Sequence, residues 1–135
     1  MAIVHESVLR AIGTFNNDFR INSTARGVLI IANITAKGAG AATLALNLQT
    51  YDEASQTYVA LTDFVTAAPT AIAIAATAVT PTEQFQLAVY PSFGVVVPAV
   101  GKKRAFSAPV PTSLRLVEVI ATDTITFSVS AKALQ

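Results

Sequence analysis

The sequence predicts an all-β fold: a single-domain antiparallel β-sandwich or β-barrel over residues 27–135, preceded by an irregular N-terminal arm over residues 1–26. Three observations predict it. Apolar and polar residues alternate with period two in run after run, the pattern of a strand with one buried face. Turn-forming residues separate these runs at spacings of about 8 to 12, giving about seven or eight short strands, as in sandwiches and barrels. No stretch supplies the helices that alternate with strands in a parallel α/β sheet, and 135 residues is the length of one domain.

Residues 1–26 are the most polar and least periodic part, with Asn16, Asn17, Asp18, Asn22, Ser23 and Thr24 clustered as turn formers. The four-residue spacing of Val4, Val8 and Ile12 allows a short helix capped by Gly13. After Gly27 the character changes. Residues 28–35 are rich in Val, Ile and Leu and read as a central strand, ended by the turn signal Lys37, Gly38, Ala39, Gly40. Leu44, Leu46 and Leu48 then alternate with Thr43, Asn47 and Gln49, which assigns the leucines to the inward face. Turn chemistry at 52–56 before Tyr58, Val59, Ala60 and Leu61 makes residues 43–62 a hairpin.

Between Pro69 and Pro81, Ile72 and Ile74 with small alanines form a further, weaker strand signal. Phe85, Leu87 and Val89 alternate with Gln84, Gln86 and Ala88 and stop at Tyr90 and Pro91, a half-buried strand. From Pro91 to Pro111, Gly94, Pro98, Gly101 and Pro109 with the basic run Lys102, Lys103, Arg104 read as a long excursion between strands. Leu114, Leu116, Glu118 and Ile120 share one parity, a turn falls at Thr122 and Asp123, and Ile125, Phe127 and Val129 follow on alternate positions. This pair reads as the strongest hairpin in the chain. Glu118 falls on the leucine parity, either facing inward or lying at the sheet rim.

Hydrophobic residues make up 53% of the chain and charged residues 13%, about half the charged share of an ordinary globular domain. That leaves too little charge to cover the outside, so part of the apolar surplus is expected to meet another chain. The formal charge of +1 gives no electrostatic footprint for nucleic acid. No run of about 18 apolar residues is present, and the first residues lack the pattern of a signal peptide, so neither a membrane nor that secretory route is expected.

Catalytic equipment is missing from the pattern. With no cysteine there is neither disulfide nor thiolate chemistry. The single histidine, His5, stands in the arm beside Glu6 and reads as an exposed arm residue, a poor start for a metal site or a nucleophile–base pair. The acids are scattered except for Asp52 and Glu53 in a turn, and Gly38, Ala39, Gly40 lacks the Gly, Lys and helix of a phosphate loop. The expectation is a non-enzymatic protein with no cofactor and no metal. Its candidate contact residues are Arg20 and Arg26 at the arm and the run Lys102, Lys103, Arg104, which could dock an acidic surface.

One further pattern runs through the chain. Asn22, then Ala25, Arg26, Gly27 and Val28 lead into a strand ending at Thr35, followed by the strand from Leu44 to Asp52 and Tyr58. It continues through Leu87, Val89, Tyr90, Pro91, then Val110, Pro111 before Leu114, Arg115, Leu116, and Thr126, Phe127, Ser128, Val129. Over roughly residues 22–134 this resembles a group of small virion proteins of tailed bacteriophages. The chain departs from that pattern in having Leu114 where an aromatic residue is common, and in its Ala-rich segment from Ala67 to Ala78. The resemblance implies a head decoration (cement) protein on the outer surface of the capsid, made in the host cytoplasm. Its implied partners are the major capsid protein and copies of itself, as a homotrimer. A ring-forming tail or neck component is the alternative it leaves open.

Overall fold

The computed structural model describes residues 2–64, 70–91 and 101–135. Ten strands run in chain order: β1 (Ala2–Arg10), β2 (Gly13–Arg20), β3 (Gly27–Lys37), β4 (Thr43–Asp52), β5 (Thr57–Ala60), β6 (Ala73–Ala78), β7 (Glu83–Tyr90), β8 (Lys103–Ser107), β9 (Ser113–Ala121) and β10 (Ile125–Leu134). They form two sheets. Sheet A has the order β1-β10-β3-β7-β8; sheet B has the order β2-β9-β4-β5, with β6 also paired to β4. The two sheets face each other as a sandwich, and neither closes into a barrel.

Period-two patterning builds the core. Val28, Ile30, Ala32 and Ile34 from β3, Leu44, Leu46 and Leu48 from β4, Phe85, Leu87 and Val89 from β7, and Ile125, Phe127 and Val129 from β10 all point between the sheets and are buried. Each large apolar side chain so placed contributes about 1.5–3 kcal/mol relative to leaving it in water. Strand β3 is central, paired on both sides, with β10 and with β7. Gly27 opens it where a Cβ would fall on the Val89 carbonyl oxygen, so only glycine lets the two strands approach there.

Three expectations give way to the tertiary structure. Residues 2–20 are not an arm and hold no helix: β1 pairs antiparallel with β10, and β2 with β9. Sheet pairing over these two strands overrides the weak local signal. Strands β9 and β10 do not form a hairpin, because β9 pairs with β2 and β4 in sheet B while β10 pairs with β1 and β3 in sheet A. The turn at Thr122 and Asp123 crosses between sheets. The excursion after Pro91 contains β8, which adds to β7 in parallel; Gly94 and Pro98 lie outside the described residues, as do Ala67 and Pro69. The β4–β5 hairpin forms as expected, with Tyr51 opposite Tyr58.

Candidate protein-interaction site

One flank of the sandwich is closed by β1 and β2, the edge strands of the two sheets. Behind them lies Glu118 of β9, fully buried on the same parity as Leu114, Leu116 and Ile120. Its Oε2 is 2.8 Å from His5 Nε2 and its Oε1 is 3.6 Å from Arg10 Nη1. Both partners come from β1, in the opposite sheet. Arg10 also donates to Asn17 Oδ1 at 3.1 Å and lies over the Phe15 ring, while the Phe127 ring meets His5 edge-on at 4.9 Å. His5 is therefore hydrogen-bonded across the sheets to Glu118 and is not an exposed arm residue. Its pairing partner was legible as an inward-parity acid, but nothing in the local sequence joins positions 113 residues apart.

This arrangement turns polar side chains of β1 inward and apolar ones outward, although Val4 still packs against the core. His5 and Arg10 point toward the sandwich interior, while Ile3 and Leu9, opposite the outward Ser130 and Thr126, are 65% and 63% exposed. Ile12, in the link to β2, is 60% exposed. Exposed aliphatic side chains concentrated at one flank are the mark of a contact surface. Register shifts between Ile3 and His5 and between His5 and Val8 make the strand irregular, which blunts plain edge-to-edge pairing and leaves side-chain docking.

The two outer faces are weakly charged. Across sheet B run the rows Asp18, Arg115, Gln49, Ala60 and Asn16, Val117, Asn47, Ala73; across sheet A run Ile3, Ser130, Ile31, Gln86, Lys103 and Lys132, Leu29, Ala88, Ala105. In these rows Asp18 and Arg115 neutralise each other at 2.6 Å. The hydrogen bond from Arg115 holds the Asp18 carboxyl below its ordinary range, against a smaller opposing effect of burial. The Arg115 guanidinium also lies 3.4 Å from the centre of the Tyr58 ring, beside the edge-to-face pair Tyr51–Tyr58.

The five cations singled out from the sequence do not form one patch. Arg20 ends β2 on the β1–β2 flank, whereas Lys103 opens β8 on the opposite flank. Arg26 is exposed, and its guanidinium lies over the Tyr90 ring. Within the basic run, Lys102 is paired to Glu83 at 2.5 Å and Arg104 donates to the Ala73 carbonyl at 2.9 Å while stacking on Phe106. Lys103 alone of the three is exposed. Burial pushes the Glu83 carboxyl up, but hydrogen bonds from Lys102 and Thr80 outweigh it and leave the group below its usual value. An apolar groove of about 380 Å³ lies on this same flank, lined by Leu61, Phe64, Ala108, Pro109, Val110 and Pro111, with Phe64 exposed. Its lining carries no titratable side chain. Among the described residues no three His, Asp or Glu side chains group as ligands for a metal ion.

No family model and no curated protein matches the chain. Among solved structures, a chain in a structure of infectious bursal disease virus, Gt strain, matches 96% of this chain at 12% identity with a TM-score of 0.41. This chain spans 30% of that chain's length. A likeness of that degree carries no functional weight.

Proposed function

We propose that this protein is a non-enzymatic structural component of a virion that acts through protein contacts. Within that reading it is a head decoration (cement) protein of a tailed bacteriophage, assembled with itself as a trimer on the major capsid protein at the outer surface of the shell. The observation that carries the contact role is strand β1, which turns Ile3 and Leu9 outward while His5 and Arg10 are taken inside. Sparsely charged outer faces support it, because the rows across sheet B carry only the mutually neutralised Asp18–Arg115 pair and those across sheet A only Lys103 and Lys132. The phage assignment is supported by the sequence resemblance over residues 22–134 alone.

The test uses the intact chain with shells lacking decoration. Native protein co-sediments with such shells and elutes as an oligomer, while Ile3→Ser/Leu9→Ser, folded by circular dichroism, loses at least about tenfold in affinity for one or both. A strictly monomeric native protein that ignores the shells overturns the reading. Binding of hundreds of copies per particle supports decoration, and binding of a few dozen at one vertex overturns it in favour of a neck or tail ring.

A further inference from the structure

We propose that His5 and Glu118 form a proton-dependent latch that holds the N-terminal strand β1 against the opposite sheet. The hydrogen-bond geometry carries it. Nδ1 of His5 lies 2.9 Å from the backbone carbonyl oxygen of Glu6, an atom that can only accept, so Nδ1 carries the hydrogen. Nε2 lies 2.8 Å from Glu118 Oε2, and a bond there needs a proton between the two atoms. If Glu118 is ionised, the ring is an imidazolium donating from both nitrogens; if the ring is neutral, Glu118 is protonated and donates to Nε2. In both arrangements the pair holds one proton more than a neutral ring beside a carboxylate. Arg10 Nη1 lies 3.6 Å from the other carboxylate oxygen, Oε1.

Losing that proton sets two lone pairs against each other at hydrogen-bond distance and leaves a fully buried carboxylate with Arg10 as its remaining counter-charge. Gaining a second proton sets an imidazolium against a neutral carboxyl. The charged groups at the latch are His5 and Arg10 from β1 and Glu118 from β9. The other elements packed on it offer uncharged side chains: Phe15 and Asn17 from β2, Leu46 from β4, and Phe127 and Val129 from β10. Among these described residues, Arg10 is then the one charged group left beside the carboxylate. Strand β1 is an edge strand with two register shifts, held on one side by β10, so the latch adds to the contacts of Arg10 with Asn17 and Phe15 in fastening it to sheet B. Opening it would loosen the strand that presents Ile3 and Leu9.

His5 is the only histidine in the chain, so its ring resonances are unambiguous. The experiment follows amide hydrogen exchange of β1 relative to the central strand β3 in the isolated protein, across roughly pH 4 to 9, the range spanning free Glu and His titration. Nitrogen-15 shifts of the ring are read on the same samples. The expected result is greatest β1 protection while both ring nitrogens carry hydrogen or Nε2 shares the Glu118 proton, falling at least about tenfold when the shared proton is lost. Glu118→Gln, which donates to a neutral ring, should flatten that dependence. A ring that gives up its proton with β1 protection unchanged overturns the latch, whether or not the variant folds. Unchanged pH dependence in folded Glu118→Gln overturns it too. Shell binding takes no part in these measurements, so the latch and the decoration role stand or fall separately.

Discussion

The carboxylate of Asp123 accepts a hydrogen bond from the backbone N–H of Gly40 at 2.5 Å, fastening the crossover between β9 and β10 to the crossover between β3 and β4. Asp123 also accepts from Thr124 N at 2.7 Å, and Gly38 N donates to the Thr124 carbonyl at 2.9 Å. A Cβ on Gly38 would land on this carboxylate. Gly38→Ala should therefore cost about 1–3 kcal/mol in urea unfolding. In an Asp123→Ala background the same change should cost much less, since the obstructing group is gone. Equal costs in both backgrounds would show that the carboxylate is not what Gly38 makes room for.

Thr122, beside it, sits at a φ of 76°, a left-handed conformation that a β-branched side chain resists. Thr122→Gly should raise stability by up to about 1 kcal/mol, after the entropy that glycine adds to the unfolded chain is subtracted. A clear loss of stability would mean that the threonine side chain makes a compensating contact.

Removing one member of the buried His5–Glu118 pair should be far worse than removing both. His5→Leu leaves Glu118 buried with Arg10 at 3.6 Å and should cost about 3 kcal/mol. His5→Leu/Glu118→Leu should recover most of that loss, because no unpaired carboxylate remains. A double-mutant cycle by chemical denaturation measures the difference.

Acid should destabilise the fold through its carboxylates. Asp18, Asp123 and Glu83 all have pKa values below their ordinary ones: Asp18 through Arg115, Asp123 through the N–H groups of Gly40 and Thr124, and Glu83 through Lys102 and Thr80 despite the upward push of burial. A depressed pKa contributes stability that is complete above the unfolded-state value and is lost as pH falls through the folded-state value. Melting temperature should thus hold until about pH 4 and drop below it. Asp18→Asn should remove part of the drop and cost under about 1 kcal/mol at neutral pH, since its pair with Arg115 is solvent-exposed.

Position, not residue type, decides the value of the phenylalanines. Phe85 is completely buried in β7, and Phe85→Ala should cost about 3–5 kcal/mol; Phe64 is 73% exposed, and Phe64→Ala should change stability by under about 0.5 kcal/mol. If Phe64→Ala instead weakens oligomerisation at unchanged stability, the groove beside it is a contact surface.

The all-β class, the inward parity of Leu44, Leu46 and Leu48, the burial of Phe85 and Phe127 and the central place of β3 were all legible in the chain. Each depends on period-two alternation or a continuous apolar run, both local properties that a strand expresses wherever it pairs. The β4–β5 turn was legible for the same reason.

Which strand pairs with which was not local. The turn at Thr122 and Asp123 looks the same whether the next strand folds back beside β9 or crosses to the facing sheet; Ile125, Phe127 and Val129 point inward either way. Residues 2–20 carry a pattern that makes sense only when Glu118, far along the chain, is set behind them as the partner of His5 and Arg10. Sequence by itself determined that this protein is built of half-buried strands with little charge to spare. Only the tertiary structure decided their order and the outward turn of Ile3 and Leu9, because a buried carboxylate must find its partners in space, and the strand that supplies them from His5 and Arg10 turns Ile3 and Leu9 to the outside.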